Sequence, residues 1–311
     1  MRAFVFPGQG SQAVGMGAAL AEASSHARAV FQEVDEALGQ NLFRLMTDGP
    51  ADDLTLTENA QPAIMANAIA TLRVLEQEGG VRLSEKADFV AGHSLGEYTA
   101  LCAAGAIDLA TTARLLKLRG RAMQAAVPVG TGGMAALLGA TIEQAEAIAA
   151  AAAEGEICTV ANDNAPGQVV ISGNAGAIER AAGLVKEHGV KRAMPLPVSA
   201  PFHCPLMQPA ADAMEAALAE ARIDAPFVPV FANVTAAPVT ASDTIRRLLV
   251  EQVTGIVRWR ESVLAMHAAG VTRFVELGGK VLVPMIKRIT PDVDSISVVS
   301  MDEIEALLQK I

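Results

Sequence analysis

Gly92-His93-Ser94-Leu95-Gly96 sets a serine between glycines two positions to either side. The apolar run Phe89-Val90-Ala91 precedes it, and a small, alanine-rich segment, 98–105, follows. Strand, sharp turn, helix is the setting of the Gly-x-Ser-x-Gly nucleophile elbow. A serine held on a strained turn needs small neighbours, and the two glycines let strand and helix backbones pass closely. The hydroxyl then stands at a helix N-terminus, where the dipole favours a developing oxyanion and the Leu95 amide can donate to it. Three fixed positions in five arise by chance in a chain this rich in glycine and alanine. The strand before and the helix after are what point to a nucleophile.

A serine nucleophile needs a base. Of five histidines, His93 adjoins the serine and is expected to point away from the elbow apex. His26, His188 and His267 fall in polar, amphipathic helical stretches. His203 follows Ala200-Pro201-Phe202 and is expected to open a helix, 203–221, after a domain junction. Serine before histidine is the α/β-hydrolase order, which also expects an orienting acid between them. None stands out; Asp163, in a turn-rich stretch, is the nearest, so a backbone carbonyl or an amide is the alternative partner. Cys204 beside His203 is a weak candidate pair, because adjacent side chains rarely point the same way. Arg119 lies among Leu115, Leu116, Leu118 and Met123. It either turns inward, where it could clamp a carboxylate with two parallel hydrogen bonds, or belongs to a solvated helix face.

These residues need elements to hold them. The chain has 311 residues, 51% hydrophobic and 19% charged, enough for one large domain or two. No charge-free run of 18 apolar residues occurs; the most apolar stretch, 145–153, has Glu143, Glu146 and Glu154 around it. With no signal-peptide pattern, the cytoplasm is the expected location and no membrane partner is expected. Three widely spaced cysteines are neither a disulfide framework nor a structural zinc site. A net charge of −10 without a basic run argues against nucleic-acid binding. An anionic substrate would need local cations.

Residues 2–6 read as a strand ending in Pro7-Gly8-Gln9-Gly10-Ser11-Gln12. That loop lacks the Walker lysine and the third glycine of a dinucleotide fingerprint. It reads instead as a turn that aims backbone amides and Gln12 into a site. Helical periodicity follows over 17–38, and 42–56 is irregular. A helix to about residue 78 is expected to have Asn59 as its cap and Pro62 in its first turn. After the elbow come helices 95–104 and 109–126, then a Pro/Gly break at 127–133. Strand 134–138, helix 142–153, strands 157–161 and 168–172 joined by a turn at 162–167, helix 175–188 and strand 190–194 form a β-α-β-β-α-β unit, the ferredoxin-like pattern. The rest alternates again: strand 227–231, a helix then a loop over 248–257, helix 259–269, strand 272–277, a helix to about 288, strand 296–300 and helix 302–310. Alternation means a parallel sheet, with its ligand site at the carboxyl ends of the strands. The expected division is a discontinuous core, 1–129 and 198–311, with a small inserted unit, 130–197.

Phe4-Val5-Phe6-Pro7-Gly8-Gln9-Gly10-Ser11-Gln12, Gly92-His93-Ser94-Leu95-Gly96-Glu97, Arg119, Asn162, Pro166-Gly167-Gln168-Val169-Val170-Ile171-Ser172-Gly173 and Phe202-His203 occur in that order. From residue 3 to about 290 the chain resembles the acyltransferase family of malonyl-CoA:acyl-carrier-protein transacylases and the acyltransferase domains of polyketide and fatty acid synthases. The resemblance implies an α/β-hydrolase-like core with an inserted ferredoxin-like subdomain. It implies Ser94 as nucleophile, His203 as base, the amides of Gln12 and Leu95 as oxyanion hole, and Arg119 on the malonyl carboxylate. It also implies that the main-chain carbonyl of Gln252 orients His203, which would remove the need for an acid. Phe202 resembles the bulky residue of malonyl-selective members, and Asn162 and His93 would line the pocket. One carbon of size discrimination is worth only about 1–3 kcal/mol. The implied substrates are malonyl-CoA and holo acyl carrier protein, with no metal or other cofactor and a monomeric chain. Lys191, Arg192, Arg258, Lys280, Lys287 and Arg288 are candidates for a basic patch facing the acidic carrier. A serine esterase or thioesterase, and a silent carrier-binding module, are the other classes such a chain could belong to.

Overall fold

The computed structural model describes residues 1–311 apart from Ser199. Among the described residues ten strands form two sheets: β1 (Arg2–Phe6), β2 (Phe89–Gly92), β3 (Gly132–Leu138), β4 (Cys158–Ala165), β5 (Gln168–Asn174), β6 (Arg192–Pro195), β7 (Val230–Ala232), β8 (Ala237–Val239), β9 (Arg273–Leu277) and β10 (Asp294–Val298). The larger sheet has the order β10-β9-β1-β2-β7-β8, parallel throughout except for β8. The smaller, β4-β5-β3-β6, is antiparallel.

Helices cover both faces of the large sheet, so its central strands are apolar runs rather than alternating ones. Ala3, Phe4, Val5 and Phe6 of β1 have no exposed surface. Phe4 and Phe6 enter one core and Ala3 and Val5 another, as the period of two requires. The small sheet has its own core: Leu137 and Ile171 on the strands pack with Ile148 and Ile178 on its two helices.

Several local expectations are corrected. The 17–38 helix is two, Ala18–Ala23 and Ser25–Leu38, because Ser24 is extended and its side chain accepts from the Ala27 amide as an N-cap. Residues 42–56 contain helices Leu42–Asp48 and Ala51–Thr55. The long buried helix is Thr57–Gln77; Asn59 lies inside it rather than capping it, and Pro62 lies a turn further in than expected. The Asn59 side chain instead donates to the Asp53 carbonyl and accepts from Lys117 Nζ. The 162–167 turn is mostly strand, because the buried Asp163 and Asn164 side chains are answered by Arg260 and His93 while the chain still pairs with β5. The 203–221 helix begins late, with a 3-10 turn Pro205–Met207 and then Gln208–Glu220. His203 has φ +57°, a left-handed conformation no helix can include. The helix and following loop expected over 248–257 are the end of the helix Ser242–Thr254 and residues 255–257, whereas β8 and the short helix Leu83–Lys86 had no sequence signal.

Candidate active site

Ser94 caps the helix Leu95–Ala103 at φ +54° and ψ −110°, a strained conformation for a residue with a side chain. The glycines make this turn possible. A Cβ at Gly92 would lie 1.9 Å from the Gly96 backbone, and one at Gly96 would lie 2.3 Å from the Phe6 carbonyl oxygen. The elbow is thus pressed between its own helix and the end of β1.

Ser94 Oγ is 2.8 Å from His203 Nε2, and His203 Nδ1 is 2.9 Å from the Gln252 carbonyl oxygen. A carbonyl only accepts, so Nδ1 carries the proton and Nε2 offers its lone pair to the serine hydroxyl. Burial, and then the positive charge of Arg119, hold the imidazole down at about 3, so it stands neutral with its Nε2 lone pair free. Arg119 is 1% exposed and turns inward. Its Nη1 donates to Gln61 Oε1 (2.8 Å), and its Nη2 to Gln252 Oε1 (2.9 Å) and to Ser94 Oγ (3.1 Å). The guanidinium also lies over the Tyr98 ring, 5.6 Å from its centroid. Among the described residues no carboxylate lies within 4 Å of it. A buried cation beside the serine is thus left without an anion in direct contact.

These groups open on a cleft of roughly 330 Å³ between the two sheets. Gln12, His93 and Leu95 line it from the large sheet's side, Met134 and Asn162 from the small sheet, and Phe202 from the segment joining them. Leu95 is the first residue of its helix, where amides have no intrahelical acceptor. Gln12 folds its side chain back onto the Gly10 amide. His93 Nε2 is held at 2.7 Å by Asn164 Oδ1, away from the serine hydroxyl.

Two candidates from the sequence are removed. Asp163 does not orient the histidine, because its carboxylate is held by Arg260 at 2.8 Å. Cys204 donates to the Pro201 carbonyl and burial pushes its thiol up, so it is no partner for His203. In the basic set, Arg258 is paired with Glu261 and Lys280 with Glu303. Lys191, Arg192, Lys287 and Arg288 have no acidic partner among the described residues, and Arg288 donates to the Pro166 carbonyl.

Three participants were missed. Asn233, just beyond β7, accepts from the Ser94 amide (2.7 Å) and donates to the Gly92 carbonyl (2.7 Å), holding both sides of the elbow. Gln61 holds Arg119 from the long buried helix. Glu97, 2% exposed, accepts from the Asn233 amide and the Gln252 side chain. A polar residue at the carboxyl end of an apolar strand was the signal for Asn233; Glu97 was in view directly after Gly96.

No group of three or more potential metal ligands occurs among the described residues, and no helix there is long and apolar enough to cross a membrane. The acyl transferase domain family matches residues 3–300. A malonyl CoA-acyl carrier protein transacylase of Escherichia coli K12 is 46% identical over 98% of this chain and 97% of its own length. The crystal structure of an acyl-carrier-protein S-malonyltransferase from Bartonella henselae is 52% identical, with a TM-score of 0.97, covering 99% of this chain and 98% of that one. A malonyl-transacylase solved in complex with its type II polyketide synthase acyl-carrier protein is 40% identical, with a TM-score of 0.96, covering 100% and 99%.

Proposed function

The chain belongs to the acyl transferase domain family, and from that premise we propose that it moves the malonyl group of malonyl-CoA to the phosphopantetheine thiol of a holo acyl carrier protein, in fatty acid synthesis, through a malonyl-Ser94 intermediate. The observation that carries this is Arg119, a buried cation with no direct anionic partner among the described residues, 3.1 Å from the serine hydroxyl. A plain esterase has no use for such a charge, whereas a carboxylated acyl group supplies its missing anion.

In the first half-reaction Ser94 Oγ attacks the thioester carbonyl while His203 Nε2 takes its proton. The amides of Leu95 and Gln12 receive the oxyanion. The carbon–sulfur bond breaks, and the departing CoA sulfur takes the proton back from His203. The acyl carboxylate on Arg119 cancels the charge that disfavours protonated His203, so the correct substrate strengthens its own base. In the second half, His203 deprotonates the phosphopantetheine thiol, the thiolate attacks the malonyl ester, and Ser94 leaves with the returned proton. Phe202, Asn162 and His93 shape the pocket around the acyl group, and Phe202 crowds an α-methyl substituent. Neither half needs a redox or metal cofactor.

The cores support an α/β-hydrolase-like unit, 1–129 and 198–311, and a ferredoxin-like unit, 130–197, whose sheet runs second, third, first, fourth in the order of its strands. Lys191, Arg192, Lys287 and Arg288 are the residues of the basic set without an acidic partner among the described residues, and are proposed to face the acidic carrier. Initial rates of malonyl transfer, with malonyl-CoA varied at several fixed concentrations of holo carrier, test the covalent route. Parallel double-reciprocal lines are expected; intersecting lines would mean direct transfer in a ternary complex.

A further inference from the structure

Glu97 is a buried carboxyl group that the acyl-transfer chemistry above does not use. Its Oε2 accepts from Gln252 Nε2 (2.8 Å) and from the Asn233 amide (2.9 Å). Both donors are tied to reacting groups. Gln252 Nε2 also donates to the Ser94 carbonyl (3.0 Å), its Oε1 accepts from Arg119 Nη2 (2.9 Å), and its main-chain oxygen accepts from His203 Nδ1 (2.9 Å). Asn233 holds the amide of Ser94.

A side-chain amide has one donor end and one acceptor end. Oε2 of Glu97 accepts, so Gln252 must turn its NH2 toward it, which leaves Oε1 for Arg119. Flipped, the amide would set oxygen against the carboxylate and NH2 against the guanidinium. When Glu97 is ionised, it and Arg119 therefore form an ion pair bridged by one neutral amide. Resting on the roles given above to Ser94, His203 and Arg119, we infer that Glu97 is a positioning residue for acylation: it fixes Gln252 in the orientation that holds both His203 and Arg119, and it supplies the counter-charge that the acyl carboxylate replaces.

A pH dependence follows. Burial pushes the Glu97 carboxyl up to about 7, against the opposing pull of its hydrogen bonds and of Arg119. Below that pH it is neutral, and Arg119 meets an incoming carboxylate with its full charge. Above it Glu97 is ionised and already compensates Arg119. Acylation by malonyl-CoA therefore weakens as pH rises through about 7. The titratable groups around Glu97 are Arg119 from the helix Leu109–Ala125, His203 across Gln252, and Tyr98 on its own helix; Asn233 and Gln252 are neutral. His203 stays neutral in this range, Tyr98 is pushed above its ordinary value by burial, and Arg119 remains a cation.

Acylation rates from malonyl-CoA and from uncharged acetyl-CoA, measured between about pH 5.5 and 9 for wild type, Glu97→Gln and Glu97→Ala, test this. In wild type, kcat/KM for malonyl-CoA should fall about tenfold across that range, through KM rather than kcat, while acetyl-CoA shows no such fall. Glu97→Gln keeps an acceptor and loses the charge, so the malonyl-specific fall should vanish. Glu97→Ala should lose kcat for both substrates, with Glu97→Gln recovering at least about tenfold of it. A wild-type pH profile in Glu97→Gln, or wild-type kcat in Glu97→Ala, overturns the inference; if Glu97→Ala does not fold, the Glu97→Gln profile decides. Ser94→Ala keeps the two levels apart: an acyl adduct surviving in it would refute the catalytic roles themselves, whereas its loss there with an unaltered Glu97→Gln profile refutes only the part given to Glu97.

Discussion

Replacing Arg119 with alanine separates recognition of a charged acyl group from acyl transfer itself. The guanidinium is almost wholly buried and is held by three neutral oxygens, those of Gln61, Gln252 and Ser94. A substrate carboxylate arriving there forms a buried charged pair. Removing one partner of such a pair costs about 3–5 kcal/mol, and each ~1.36 kcal/mol is tenfold in rate. The expected loss in kcat/KM for malonyl-CoA is therefore between about a hundredfold and a few thousandfold. Acetyl-CoA has no carboxylate to lose, and its kcat/KM should stay within about tenfold, the loosening of Gln252 and Ser94 being the remaining cost. Removing the cation also removes the second-largest cause of the low His203 value, so the acid limb of acetyl transfer should move to higher pH. The assay is single-turnover acylation from each thioester over a range of pH, with circular dichroism to establish that the variant is folded. Equal losses for malonyl- and acetyl-CoA would refute the role given to Arg119.

Three further outcomes are expected. His203 is held at about 3 rather than in the ordinary range, so its neutral form persists as pH falls; kcat/KM for an uncharged acyl thioester should be largely retained at pH 5, and an acid limb centred near 6.5 would contradict the burial argument. Asn233→Ala leaves the Ser94 amide and Gly92 carbonyl without their partner, at about 1–3 kcal/mol each, so urea denaturation should show a loss of about 2–6 kcal/mol with slowed acylation; unchanged stability would mean that the elbow does not depend on this side chain. Gly92→Ala would drive a Cβ to 1.9 Å from the Gly96 backbone, so folded protein with a wild-type Tm would show that the strand–helix crossing is looser than described.

The elbow was legible because its constraints are local: small residues at 92 and 96, an apolar run before and a helix after. The β-α-β-β-α-β order was legible from alternating patterns, since the small sheet and its two helices form their own core. What the sequence hid was decided by distant contacts. Asn162–Ala165 looks like a turn by composition, yet Asp163 is answered by Arg260 and Asn164 by His93, so polar residues could be buried in a strand. His203 looked like a helix start, but meeting Ser94 across more than a hundred residues requires a left-handed backbone there. Arg119 could not be assigned to inside or outside by periodicity alone, because its acceptors, Gln61 and Gln252, come from other helices. Glu97 was passed over in the search for an acid to hold the histidine: it lies just after the motif, and it reaches His203 only through Gln252.

The claim that this site transfers a malonyl group through Ser94 is tested most directly by intact mass after incubation with malonyl-CoA alone, followed by addition of holo carrier protein. The prediction is one malonyl adduct, absent in Ser94→Ala, persistent in water and discharged onto the carrier. An adduct that hydrolyses without passing to the carrier, or one that survives in Ser94→Ala, would contradict it.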